Sequence, residues 1–167
     1  DMEINVWDRI IAFEGRMHEF IKAAYDYQDN TFHSHPGYYI DYFEMRLAQL
    51  QVLHNLHYEI KKIRKMPKQA LVIADYIMYM ADYVVEMNIP DQQIEKLEEI
   101  SEQMKQEELP KTREEFEGRA LLYHILMDLE EFLVYKKRFV NGLDEKKLRI
   151  YWKQEMEQKD SANELQK

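Results

Sequence analysis

The chain has six histidines, twelve tyrosines and no cysteine. Thiolate nucleophiles, thiolate metal sites and disulfides are therefore excluded, and imidazole and phenol groups are the first to consider. The densest such combination is His33-Ser34-His35-Pro36-Gly37-Tyr38-Tyr39. Two imidazoles one residue apart, followed by paired phenols, combine hydrogen-bonding groups with flat apolar faces. That pairing suits an anion or an aromatic molecule. His33, His35, Tyr38 and Tyr39 are accordingly the expected ligand-binding residues. The plainer reading is a helix-entry loop packed by its own aromatic rings.

The other histidines invite a search for metal ligands. Glu14 and His18 are four apart and share a helical face, as do His54 and His57; His124 follows Tyr123. A carboxylate-bridged di-metal bundle needs Glu-x-x-His on two helices and a Glu on each of the other two. Glu-x-x-His does not occur, and Glu14-x-x-x-His18 has the wrong spacing. The expectation is no metal ligand and no cofactor, with the histidines meeting nearby carboxylates or bordering the core. Asp75 and Asp82 are read as a solvated strip, with Arg46 and Arg119 as the alternative partners. The tyrosines are read as core-boundary residues, with a pocket for a planar ligand as the alternative.

A phosphate-binding glycine loop, His-Glu-x-x-His and Gly-x-Ser-x-Gly are all absent, so no catalytic residue is assigned and the chain is not expected to be an enzyme. The formal net charge of −9 opposes binding to nucleic acid. It also opposes an acidic membrane surface unless something else tethers the chain there.

Positioning these residues falls to helices. With 4 Gly and 4 Pro in 167 residues and 46% hydrophobic side chains, the composition favours one all-α domain with a real core. Apolar spacing of three and four predicts helices over residues 4–29, 38–65, 67–87, 91–107 and from Thr112 to Asn141, with a last short one begun by Asp144. Thr112 and Glu115 have capping-box spacing. On the segment after Thr112 the expected buried side is Phe116, Ala120, Tyr123, Met127 and Val134, flanked by Leu121, Ile125, Leu129, Phe132 and Leu133. Segment 67–87, apolar on two sides, is expected at the centre. Segment 91–119 carries ten acidic and five basic residues and belongs at the periphery. The expected fold is an antiparallel four-helix bundle of 4–29, 38–65, 67–87 and the helix after Thr112, with two shorter helices. The domain is placed at 1–157 and a frayed tail at 158–167. No apolar run approaches the ~20 residues needed to span a bilayer, and no signal peptide is visible.

The stretch from His33 through Ile40-Asp41-Tyr42-Phe43-Glu44-Met45-Arg46 resembles the helix entry of the putative aromatic acid exporter C-terminal domain family. The long amphipathic helix before it and Glu117-Gly118-Arg119-Ala120-Leu121-Leu122-Tyr123-His124 share the resemblance. It implies an accessory or regulatory domain of a bacterial membrane transporter, acting by ligand sensing or subunit contacts at the cytoplasmic face. The implied partners are an N-terminal membrane region of the same protein and, as a further option, a second copy of the chain. The opening Asp1-Met2 fits a piece of a longer protein. The competing reading is a free-standing ligand- or metal-binding bundle, ferritin-like or PhoU-like.

Overall fold

In the computed structural model, the described residues are 36–65 and 67–152, with Asp8, Ala12, Gly15, Arg16, His18, Glu19 and Lys22 as isolated helical positions. Among them the structure is helical and contains no strand: α1 Pro36–Ile60, α2 Ala70–Ala81, α3 Asp91–Lys105, α4 Arg113–Asn141 and α5 Glu145–Tyr151. Most of the predicted helix over 4–29 and all of the tail at 158–167 lie outside the described residues. Two contacts nevertheless relate the first segment to the rest. Arg16 Nη1 donates to Asp82 Oδ1 at 3.3 Å, and the His18 ring meets the His54 ring edge-on at 6.1 Å.

The helix ends follow local chemistry. Pro36 opens α1, where its missing N–H costs nothing. The helix tightens after Ile60 into i→i+3 turns, Lys62 N to the Glu59 carbonyl and Ile63 N to the Ile60 carbonyl. The cations Lys61, Lys62, Arg64 and Lys65 that follow complement its negative C-terminal end. Thr112 Oγ1 caps α4 by accepting from Glu115 N at 3.1 Å, while Glu115 Oε2 accepts from Lys111 N at 2.8 Å. Asp144 caps α5 by accepting from Lys147 N at 2.7 Å.

The longest contact joins α1 to α4. Tyr42 packs on Phe139, Gln49 bonds to Phe132 and Glu59 meets His124, so the two helices run antiparallel. Among the buried positions, one line on α1 runs through Tyr38, Tyr42, Met45, Gln49, Val52 and Leu56, and one on α4 through Gly118, Leu122, Ile125, Leu129, Phe132 and Lys136. Both series alternate steps of four and three, the repeat of knobs-into-holes packing. α2 adds Ile73, Ile77 and Met80, and α3 adds Leu97, Ile100 and Met104, to the larger core cluster, while Tyr42, Phe43 and Met45 form a second, smaller one.

Three expectations are corrected. The side of α4 expected to be buried is largely exposed, with Phe116 62% and Met127 65% accessible. The flanking line through Ile125, Leu129, Phe132 and Leu133 forms the core instead. Both lines repeat every seven residues, but the packed one contains Gly118 and Lys136, which an apolar count passes over. Next, the helix predicted over 67–87 ends at Ala81 and gives way to turns over 82–90. Carbonyl groups there are held by a side chain of α4, as described below, so helical hydrogen bonds are not required of them. Lastly, α2 is not enclosed: Leu71, Val72 and Met78 face outward, and α4 supplies the central surface.

At Gly118 an added Cβ would lie 3.1 Å from Pro67 Cγ and 3.3 Å from the Lys65 carbonyl oxygen. Helix α4 can approach the corner before α2 this closely because the position lacks a side chain. Gly118→Leu is expected to destabilise the fold by about 1–3 kcal/mol through overpacking, measured by urea denaturation. An unchanged or raised midpoint would show that the corner yields freely.

Candidate functional site

Two polar clusters interrupt the α1–α4 seam. The first lies where α1 begins. The Tyr38 hydroxyl donates to Glu86 Oε1 at 2.8 Å and accepts from Trp152 Nε1 at 3.0 Å, joining α1, the 82–90 turns and the residue after α5. Its ring stacks parallel to Tyr42, and Tyr39 packs edge-on at 5.0 Å. Burial, reinforced by the Glu86 carboxylate, pushes the Tyr38 phenol far above its ordinary pKa. Tyr42 is pushed up to about 12, mainly by burial. Behind these rings Arg46 Nε donates to the Tyr42 hydroxyl at 3.1 Å, and Arg46 Nη1 donates to Gln49 Oε1 at 2.7 Å. Gln49 Nε2 in turn donates to the Phe132 carbonyl at 2.8 Å. Lys136 Nζ donates to the Val85 carbonyl at 2.8 Å and to that of Glu86. It also stands 5.7 Å from the Trp152 ring and 5.9 Å from that of Tyr42.

Of the four residues expected to bind a ligand, Tyr38 is buried in this network and Tyr39 is half-buried beside it. His33 and His35 lie outside the described residues. Asp75 and Asp82 are exposed, as a solvated strip should be, with Asp82 paired to Arg16. Arg46 lies inside the seam, and Arg119 donates to the Glu108 carbonyl at the surface.

The second cluster was not assembled from the sequence. His124 on α4 directs Nδ1 at Glu59 Oε1 of α1, 2.6 Å away, and at Asp128 Oδ2, 3.6 Å away. Asp128 lies one turn further along α4 and is 7% exposed, whereas 57% of the His124 side chain is open to solvent. Glu59 Oε2 and Asp128 Oδ2 are fully buried without a hydrogen-bond partner. The His124-x-x-x-Asp128 spacing was readable as one helical face. The third member was not, because Glu59 enters from another helix through tertiary packing.

Burial pushes the Asp128 carboxyl up to about 7; the neighbouring Glu59 carboxylate adds to the rise and His124 offsets part of it. At His124 partial burial opposes the charged ring, but the Glu59 carboxylate, hydrogen-bonded to it, and Asp128 outweigh that and raise its pKa. The arrangement can therefore share protons among three groups, or gather one nitrogen and two oxygen donors toward one point.

The fold and these clusters describe an all-helical domain, and comparison places it. The chain belongs to the family described as the putative aromatic acid exporter C-terminal domain, whose model matches residues 3–137. The uncharacterized protein YqjA of Bacillus subtilis (strain 168) is 32% identical over 98 residues, 59% of this chain and 30% of that protein. The chain thus spans under a third of that relative's length. A crystal structure of a putative membrane protein from Clostridium difficile 630 shares the fold. Its TM-score is 0.60 at 24% identity, over 82% of this chain and 89% of that one. Among the described residues no helix is long and apolar enough to cross a membrane.

Two outcomes follow from the geometry. Lys136→Met would leave the Val85 and Glu86 carbonyls without their charged donor, and a loss of about 2–3 kcal/mol is expected. Chemical denaturation measures that loss, and Trp152 fluorescence shows whether the corner opens. For Asp128, a folded pKa of about 7 lies above its ordinary value of 3.8, so its contribution to stability is complete below that value and fades as pH rises through 7. The raised His124 pKa has the same sign. With EDTA present, these two groups are read from the difference between the parent and a variant at each pH, since Glu115, whose carboxyl is held low by the Lys111 amide, contributes with the opposite sign. Asp128→Asn should match the parent at pH 4 and exceed it at pH 8 by on the order of 1 kcal/mol, or ~2–4 °C. A variant no more stable than the parent at pH 8 would show that the carboxyl ionises freely.

Proposed function

We propose that this chain is an accessory domain of a bacterial membrane transporter, placed at the cytoplasmic face and anchored through an N-terminal membrane region of the same protein. The observation that carries the reading is the family match over residues 3–137 of a chain that spans 30% of its longer relative. The family is one of exporter domains rather than of enzymes, and the role is a non-catalytic one: sensing a ligand or contacting another subunit.

In this reading residues 4–29 complete an antiparallel four-helix bundle within a domain ending near residue 157. The helical positions between Asp8 and Lys22 and the Arg16–Asp82 and His18–His54 contacts support that arrangement. An aromatic acid is the ligand class that the family suggests. The entry to α1, with Tyr39 half-buried beside Tyr38 and His33 and His35 preceding it in sequence, is where we place its contacts.

The test uses the complete gene product carrying a tag after Lys167. It is expected in the membrane fraction, with the tag protected from external protease in intact cells and cleaved after lysis. Recovery in the soluble fraction would overturn the anchor, and cleavage in intact cells the cytoplasmic placement. For the ligand, benzoate should raise the melting temperature of the parent chain, and His35→Ala with Tyr39→Ala should abolish the rise. A rise that survives both substitutions places the ligand elsewhere.

A further inference from the structure

We propose that Glu59, His124 and Asp128 form a site for one divalent transition-metal ion of the zinc or manganese class, which clasps α1 to α4. One imidazole nitrogen and two carboxylate oxygens, all within 4.8 Å of one another, converge there. An ion with ligand distances of about 2.0–2.2 Å bridges donors at that separation after small side-chain rotations. Mixed imidazole and carboxylate donors select zinc or manganese over magnesium and calcium, which take oxygen alone.

A cluster of acidic residues by itself would carry little. Here the buried atoms point to a missing partner. Asp128 is 7% exposed, and its Oδ2 faces the cluster without a hydrogen bond; Glu59 Oε2 is likewise buried and unbonded. Two carboxylates desolvated side by side repel one another, and an exposed imidazole at one edge only partly compensates. A divalent cation supplies the opposite charge and takes up the idle lone pairs. His124 and Asp128 lie one turn apart on one rigid helix and Glu59 on its antiparallel neighbour, so an ion bound to all three joins two elements far apart in sequence. The open side of His124 provides an entry path and leaves remaining coordination positions to water. His124 Nδ1, the atom aimed at both carboxylates, is the ligand nitrogen, so binding releases a proton from it and leaves the ring hydrogen on Nε2.

The proposal stands on these side chains and is independent of membrane anchoring, because its readout needs the 167-residue chain alone. Zinc and manganese chlorides are titrated calorimetrically into EDTA-treated, dialysed protein. The expected result is one ion per chain with a Kd of roughly 1 µM or tighter for at least one metal, together with a clear rise in melting temperature. Glu59→Gln, Asp128→Asn and His124→Ala should each weaken binding at least about tenfold, while His54→Ala leaves it unchanged. Glu59→Gln and Asp128→Asn keep the side-chain shape, and circular dichroism confirms that they fold. Cobalt absorption on the parent chain reads the nitrogen and oxygen donor set independently of any variant. No saturable binding of either ion up to about 100 µM, or binding that persists in Asp128→Asn and His124→Ala, overturns the site.

Discussion

The register of α1 against α4 is the constraint on which the remaining packing depends. Their seam is not uniformly apolar. Arg46 and Gln49 from one helix and Lys136 and Asp128 from the other are buried within or beside it. Each buried polar group costs free energy unless its partner arrives at hydrogen-bonding distance. Gln49 reaches the Phe132 carbonyl, and Lys136 reaches the carbonyls of the 82–90 turns. Sliding either helix by one turn, about 5.4 Å, would keep the seven-residue repeat roughly in phase but would break these bonds together. Apolar packing supplies the bulk of the attraction, and the polar contacts select one alignment from several of similar hydrophobic content.

That alignment also builds the ends of the domain. At the start of α1 it brings Tyr38 and Tyr42 beside Phe139, leaving a polar corner that Glu86, Trp152 and Lys136 fill. After α2 stops at Ala81, its last carbonyls accept from the N–H groups of Asp82, Tyr83 and Val84, and Lys136 supplies a charged donor to the Val85 and Glu86 carbonyls further along the turns. Near the end of α1 the same alignment sets Glu59 against His124 and Asp128. The two clusters differ in kind: the tyrosine corner is densely hydrogen-bonded, whereas the carboxylate cluster contains buried oxygens without hydrogen bonds and opens to solvent through His124. That difference makes the second cluster the better place to look for an ion, and it follows from geometry rather than from overall charge.

The described helices bury apolar residues against one another, and none is long and apolar enough to cross a membrane. What the helices offer is a frame whose two longest members meet along polar contacts. A group that binds both members acts on their alignment directly.

Much of the local structure was legible in the sequence. Thr112 with Glu115, Asp144 ahead of a short helix, and the Pro36-Gly37 entry state their roles through residue type and spacing, because caps and turns are decided within about four residues of chain. The narrow Ile94–Leu97–Ile100–Met104 stripe of α3 was nearly as plain, since its other sides are charged, although Gln93 is buried at its start and Ile94 only half so. Where two apolar stripes competed, residue types and spacing could not choose between them. Phe116, Ala120, Tyr123 and Met127 look more core-like than a line interrupted by Gly118 and Lys136, yet the interrupted line is packed. On α1, Ile40 and Leu47 remain half-exposed while Gln49 and Arg46 go inside. The fate of a polar residue depends on whether a partner from another helix reaches it, and that is a tertiary fact. Glu59 and His124, 65 positions apart, illustrate the limit: residue type determined what each could donate or accept, and only the packing of α1 on α4 decided that they would meet.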